Sequence, residues 1–300
     1  MARRKKSALL QRVEYAAYRV VARLVSAVSD ERLLRWGTRF GDLSRRLVPR
    51  RDRLAMRNLR AAFPEKSDAE LRAILDECWR HFGREMLLFV RSQSMTLEEI
   101  AKSCTFNNVE VLDAARAVGN GVLLISAHFG GWEVGGLALM ALLDNVRTVA
   151  RPLDNEYLER DLTRLRARTG AAVIDRRKAA RALMKGLSEN ATIVLLPDQA
   201  VQEREGVLVP FLGRDAWTTP APAKMALRND SVIVIGFCIP DGARHHLVFD
   251  EVIRVGELAE EERDAVALTA RINAAIARRI AANPEWWLWM HDRWKGTGKA

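Results

Sequence analysis

Cysteine is scarce: 300 residues hold three, Cys78, Cys104 and Cys238, far apart and without a C-x-x-C pair. That excludes a disulfide framework and a zinc knuckle, fits a reducing compartment, and leaves each thiol to serve as a small buried hydrophobe. Long apolar runs are missing too, and none approaches the roughly 20 residues that a spanning helix needs. The opening segment starts charged and turns apolar, but Arg12, Glu14, Arg19 and Arg23 interrupt it, so it is expected neither to span a bilayer nor to be cleaved as a signal peptide. G-x-S-x-G is absent, which discounts Ser126 as a nucleophile. H-E-x-x-H is absent, and His81, His245, His246 and His291 show no ligand spacing, so no metal is expected. Repeats and low-complexity tracts are lacking as well.

Acidic residues are rare at one end. Residues 1–60 hold five Asp or Glu against seventeen Lys or Arg; the whole chain carries +10, so the remainder sums to about −2. A basic segment on a near-neutral body attracts something acidic, whether anionic lipid, nucleic acid or protein; a solvated face is the plain alternative. Leu9, Leu10, Val13, Ala16, Ala17, Val20, Val21, Leu24 and Val25 recur every three or four residues, with Arg12, Arg19 and Arg23 mainly off that stripe. The spacing predicts a basic amphipathic helix over 1–30, of the kind that lies in a bilayer interface with arginine stems reaching toward phosphates. Packing of that helix on its own domain is the competing reading. Tryptophan argues against nucleic acid: only Trp36 of the eight falls in the basic fifth, while Trp286, Trp287, Trp289 and Trp294 cluster at the far end, as packing or an interface belt.

From 7 to about 104 the pattern is helical, and Ser67 followed by Glu70 forms a capping box that starts one helix cleanly. After that come short β-rich runs, "GVLLISA", "VRTVAR", "AAVID", "TIVLLP", "VIVIGF" and "HHLVFDEVIRV", separated by helical stretches. Continuous apolar strands alternating with helices predict an α/β sheet covered on both faces. The expected organisation is the interface helix 1–30, a helical layer 31–105 and an α/β core 106–300, integrated as one domain.

The chemistry concentrates in "LLISAHFGGWEVGG", residues 123–136. His128 and Glu133 are five apart, about 140° around a helix and on opposite faces of a strand, so neither element lets them meet. Gly130 and Gly131 supply a turn between them, with His128 at a strand end and Glu133 in the first turn of the next helix. Glu133 is expected to accept from one imidazole nitrogen while the other takes a proton from an attacking hydroxyl; backbone N–H groups at the turn and helix start are expected near the oxyanion. With no Ser or Cys nucleophile beside the pair, the substrate supplies the hydroxyl. A purely structural His–Glu contact is the bland alternative.

These residues resemble the H-x-x-x-x-[DE] motif of the glycerolipid acyltransferases. The rest of the chain is similar to their bacterial lipid A branch, the lauroyl/myristoyl acyltransferases: "MRNLRAAFP", "VARPLDNEYLE", "LLPDQA", "GVLVPFLGRDAWTTPAPAKMALR" and "PEWWLWMHDRWK" follow in that branch's order. The resemblance implies an α/β sandwich of the glycerolipid acyltransferase type. It implies transfer of a fatty acyl chain from an acyl carrier protein or coenzyme A thioester to a glycolipid hydroxyl, without a cofactor, at the cytoplasmic face of the inner membrane. It makes His128 the base and Glu133 its partner, Arg151 a contact to substrate phosphate, and Asp198, Gln199 and, more loosely, Arg176 further substrate contacts. Arg19 and Arg23 depart from the long apolar N-terminal segment common in that branch and favour an interfacial anchor, the anionic membrane meeting residues 1–60. Relatives that acylate phosphoinositide mannosides keep the acceptor open, and a non-enzymatic basic membrane-surface protein is the reading from another class.

Overall fold

The computed structural model describes residues 7–150, 152–175 and 179–297. Five helices come first: α1 Ala8–Ser26, α2 Asp30–Leu47, α3 Pro49–Ala62, α4 Asp68–Ser92 and α5 Leu97–Lys102. Then β1 Cys104–Phe106, α6 Val109–Ala117, β2 Val122–Ile125, α7 Trp132–Leu142, β3 Val146–Ala150, α8 Glu156–Arg168, β4 Ala172–Asp175, α9 Ala179–Ser188 and β5 Thr192–Leu195 alternate. The chain continues through the hairpin β6 Val207–Phe211 and β7 Arg214–Thr218, α10 Ala221–Asn229, the long pair β8 Val232–Asp241 and β9 Arg244–Arg254, and α11 Ala265–Ala282.

Seven strands form one sheet in the order β1-β9-β8-β2-β5-β3-β4. From β8 to β4 all neighbours are parallel; β9 runs antiparallel to β8, and β1 parallel to β9. Both faces are covered, which is why the central strands are apolar without alternation. Leu123 and Ile125 of β2 join one core cluster with residues of α3, α4, α9, α10 and α11, while Val122 and Leu124 join the other with residues of α5 to α8. The α/β class expected from the alternating runs is the one observed. All three cysteines are buried and free.

Two local details fix the placement of the helical layer. The Ser67–Glu70 capping box is present and starts α4, and α2 lies so close against α4 that a Cβ at Gly41 would stand 2.1 Å from the Trp79 carbonyl oxygen. One face of α2 is thereby committed to α4.

The face of α1 that packs on the protein is its polar one. Asn155 donates to the Gln11 carbonyl (2.9 Å) and to Glu14 (3.0 Å), Tyr15 donates to Asp161 (2.7 Å) and Arg12 to the Tyr157 hydroxyl (3.1 Å). The apolar stripe points away, Leu9 being 73% exposed and Leu10, Val13, Val20, Val21 and Leu24 exposed with it. Val25 is the exception: it turns inward to pack with Leu33, Leu87 and Leu88. Among the described residues no helix is long and apolar enough to cross a membrane.

Candidate active site

His128 lies three residues beyond Ile125, the end of β2, and Asp198 three beyond Leu195, the end of β5. Ile125 and Leu195 are register partners in adjacent parallel strands. Counting on by the same number from a paired position brings the two residues to one level at the carboxyl edge of the sheet, where open α/β sheets bind ligands. Contact results: His128 Nδ1–H donates to Asp198 Oδ1 at 2.8 Å, and the His128 backbone N–H donates to Asp198 Oδ2 at 3.0 Å.

This corrects the expected pairing. Among the described residues the ring of His128 is hydrogen-bonded to Asp198 and Gln199, and Glu133, although it does fall in the first turn of α7, acts on the imidazole through its charge. The physical reason is register: β2 and β5 place residue 198 beside residue 128, whereas Glu133 is carried onward by the helix. Asp198, expected as a substrate contact, is the carboxylate that the structure places against Nδ1 of His128.

Asp198 is 1% exposed. Its second oxygen also accepts from the Trp287 indole N–H at 2.9 Å. Burial alone pushes this carboxyl up, but the charge and hydrogen bond of His128, with the Trp287 and backbone donors, outweigh it and hold the group below the usual carboxylate range. For His128 burial disfavours the charged ring, yet the Asp198 charge and hydrogen bond, aided by Glu133, raise it above its ordinary value. Glu133 is raised, first by burial, with Arg166 and His128 opposing.

The other imidazole nitrogen, Nε2, receives the Gln199 side-chain N–H at 3.2 Å and belongs to a side chain 24% exposed. The Trp132 ring stands 5.7 Å from the imidazole. Arg151 and Arg176 lie outside the described residues; the strands they follow, β3 and β4, end at the same edge as β2 and β5.

The turn between His128 and α7 is held from three sides. Gly130 has φ +58, and a Cβ there would sit 1.9 Å from the Cys238 carbonyl oxygen, so only glycine fits. The Gly130 N–H donates to Trp286 O and the Gly131 N–H to Cys238 O, both at 2.9 Å. These two N–H groups are therefore used by the backbone and are not the oxyanion donors that were expected at the turn. Leu288 donates to the His128 carbonyl at 3.1 Å, so the segment 286–288 runs as a brace beside residues 128–130.

Behind the turn sits a buried polar group that spacing did not reveal. His245 donates to Glu85 at 2.9 Å, and His81 donates to the Gly130 carbonyl at 3.3 Å. Burial pushes His81 down; it opposes the charged forms of Glu85 and His245 too, but their mutual bond holds Glu85 below and His245 above the ordinary values. The sequence signal was present, His81 and Glu85 being one helical turn apart on α4. The C-terminal tryptophans resolve as packing: Trp287, Trp289 and Trp294 are buried in the main core, and Trp287 also binds Asp198.

A family model described as bacterial lipid A biosynthesis acyltransferase matches residues 1–296. The chain is 25% identical over 261 residues to the lipid A biosynthesis palmitoleoyltransferase of Escherichia coli (strain K12), covering 86% of this chain and 83% of the relative. It is 25% identical over 266 residues to the lipid A biosynthesis lauroyltransferase of the same strain, covering 88% and 85%. It is 26% identical over 219 residues to the phosphatidylinositol mannoside acyltransferase of Mycobacterium tuberculosis (strain ATCC 25618 / H37Rv), covering 72% and 66%.

Proposed function

The chain belongs to the bacterial lipid A biosynthesis acyltransferase family, and on that premise we propose that it is an O-acyltransferase using His128 as general base, oriented by Asp198, to acylate a glycolipid hydroxyl. The observation that carries this reading is the Asp198–His128 bond, which takes the Nδ1 proton and leaves Nε2 the basic nitrogen, with Gln199 in the acceptor's place. Nε2 takes the proton of the acceptor hydroxyl, the oxygen attacks the thioester carbonyl carbon, and the C–S bond breaks as imidazolium returns the proton to the departing sulfur. Asp198 stabilises the imidazolium without itself being protonated, as in other carboxylate–imidazole pairs. Glu133 adds negative charge nearby, and Gln199 marks the position the acceptor oxygen takes.

The acceptor favoured by the relatives' names is a lipid A precursor, with a phosphatidylinositol mannoside or related glycolipid as the second reading. The donor is a fatty acyl thioester on acyl carrier protein or coenzyme A. On the family resemblance Arg151 is proposed to hold substrate phosphate, for which a guanidinium fork is suited, and Arg176, more loosely, to be a further substrate contact. The outward apolar face of α1, bordered by arginines, supports a peripheral position at the cytoplasmic face of the inner membrane, with residues 1–30 as the interface helix, 31–105 as a helical layer and 106–300 as the acyltransferase core.

The test compares lipids from cells with the protein, without it, and with His128→Ala. One glycolipid should gain a single acyl chain only with the intact protein. His128→Ala should fall by at least ~100-fold in transfer. Near-normal turnover by that variant would remove His128 from the chemistry.

A further inference from the structure

Between α1, α4 and α8 lies a cavity of about 320 Å³ whose charged lining is Arg19, Arg23, Arg164, Arg168 and Asp161. Four guanidinium groups face one carboxylate. That carboxylate is shared thinly: Tyr15 donates to it, and Arg19 and Arg164 approach it only to 3.7 and 3.9 Å. Arg168 donates to the Met95 carbonyl at 2.8 Å, which holds the side chain without reducing its charge. The pocket is thus a built concentration of positive charge with too little counter-charge.

Its position says which anion fits. On α1 the residues fall into three rows. Gln11, Tyr15 and Tyr18 face the protein, Val13, Val20 and Leu24 face outward, and Arg12, Arg19 and Arg23 run along the flank between them. An anion held by Arg19 and Arg23 is therefore next to the outward apolar face. The side chains lining the cavity include none of those that touch His128.

We propose that this cavity binds the phosphate of a bilayer phospholipid headgroup, with the lipid's acyl chains lying beside the outward face of α1, so that the phosphate fixes the depth and rotation of the enzyme on the membrane. The proposal rests on the interfacial reading of α1. Guanidinium forks match phosphate oxygens bidentately, and a volume of this size accommodates a phosphodiester with its glycerol.

The experiment uses the full-length protein and the double variant Arg23→Gln/Arg164→Gln. Arg32→Gln/Arg39→Gln, on α2 outside the cavity, serves as a charge-matched control. Binding is measured to soluble dihexanoylphosphatidylglycerol, to inorganic phosphate, and to phosphatidylcholine vesicles with and without phosphatidylglycerol. The cavity variant should lose about tenfold or more in affinity for the soluble lipid and for phosphatidylglycerol vesicles. The control should stay near wild type for the soluble lipid, and acyl transfer in detergent should be unchanged in both variants.

Equal losses in the two double variants would mean diffuse charge and overturn the proposal, as would a cavity variant that binds like wild type. Binding of inorganic phosphate without the soluble lipid would overturn the lipid as ligand. Soluble lipid bound through these arginines by a protein that ignores all vesicles would uphold the cavity while sinking the interfacial reading. Vesicle binding indifferent to the cavity arginines would do the reverse.

Discussion

The carboxyl edge of the sheet and the outer surface of α1 and α2 violate ordinary burial in opposite directions. At the sheet edge, charged groups are inside: Asp198, Glu85 and His245 are buried, each with a hydrogen-bonded partner. On the helical layer, apolar groups are outside: Trp36, Phe40, Leu43 and Leu47 of α2 form an exposed i, i+4, i+7, i+11 stripe, with Leu47 70% exposed, and α1 carries a similar stripe. Buried charge costs folding free energy unless it is paired, and it is tolerated here where it adjusts a histidine. Exposed apolar surface carries no such penalty within the molecule but marks a contact with something else. One region alters the acidity of a histidine, the other leaves apolar side chains uncovered.

Replacing Asp198 by Asn should give the largest effect. The amide can no longer hold imidazolium, and either tautomer becomes available to the ring, so transfer should fall by about 10²–10⁴-fold. The pH dependence separates this from misfolding. The base must be neutral to act, so kcat/KM rises with pH through the His128 value, which Asp198 and Glu133 hold above the ordinary 6.5. Without the Asp198 charge, burial dominates and the rising limb should move to lower pH. A limb that stays in place would mean that Asp198 does not set the histidine.

Gly130→Ala should come next. Its Cβ would meet a carbonyl oxygen at 1.9 Å in a left-handed backbone, a combination worth about 2–4 kcal/mol of stability. Thermal unfolding should shift down, and transfer should fall as the His128 carbonyl and the start of α7 are displaced. Glu133→Gln should be milder. As the last of the groups acting on His128, its charge accounts for a change of about tenfold or less in rate, with a small downward shift of the same pH limb. A loss matching that of Asp198→Asn would restore Glu133 as the principal partner.

Much of this was legible in the sequence, for reasons that also explain the omissions. The runs "VLLI", "TIVL" and "VIVIGF" are strands because both sheet faces are covered, and His128 stands out because it ends one of them. β1 escapes notice because three residues carry no period, and the β6–β7 hairpin because its turn, Leu212–Gly213 with both φ positive, lacks the usual Asn or Asp. The Asp198 partnership depends on strand register across 70 residues. Short-range spacing therefore pointed to the nearest carboxylate, five residues away. The usable signal was that "VLLISAH" and "TIVLLPD" place His and Asp equally far beyond two apolar runs. Arg151 and Arg176 rest on the family resemblance alone.

The smallest expected effect tests the other half of the comparison, on a single helix. Leu33 of α2 is fully buried, while Phe40, two turns further along and nearly in line with it, and Leu43 are exposed. Leu33→Ala should destabilise by about 2–5 kcal/mol, since it empties packed volume. Phe40→Ser/Leu43→Ser removes more apolar surface but no internal contact of that kind, so its unfolding free energy should change by no more than about 0.5 kcal/mol at each site. If the stripe meets a bilayer, the double serine variant should nonetheless bind phosphatidylglycerol vesicles more weakly by about tenfold or more, because each side chain loses burial worth about 1–2 kcal/mol. Unfolding by denaturant and vesicle co-sedimentation on the same samples decide the matter. A large loss of stability would mean that the stripe belongs to the core of the protein, and unchanged vesicle binding would mean that its exposure serves no membrane.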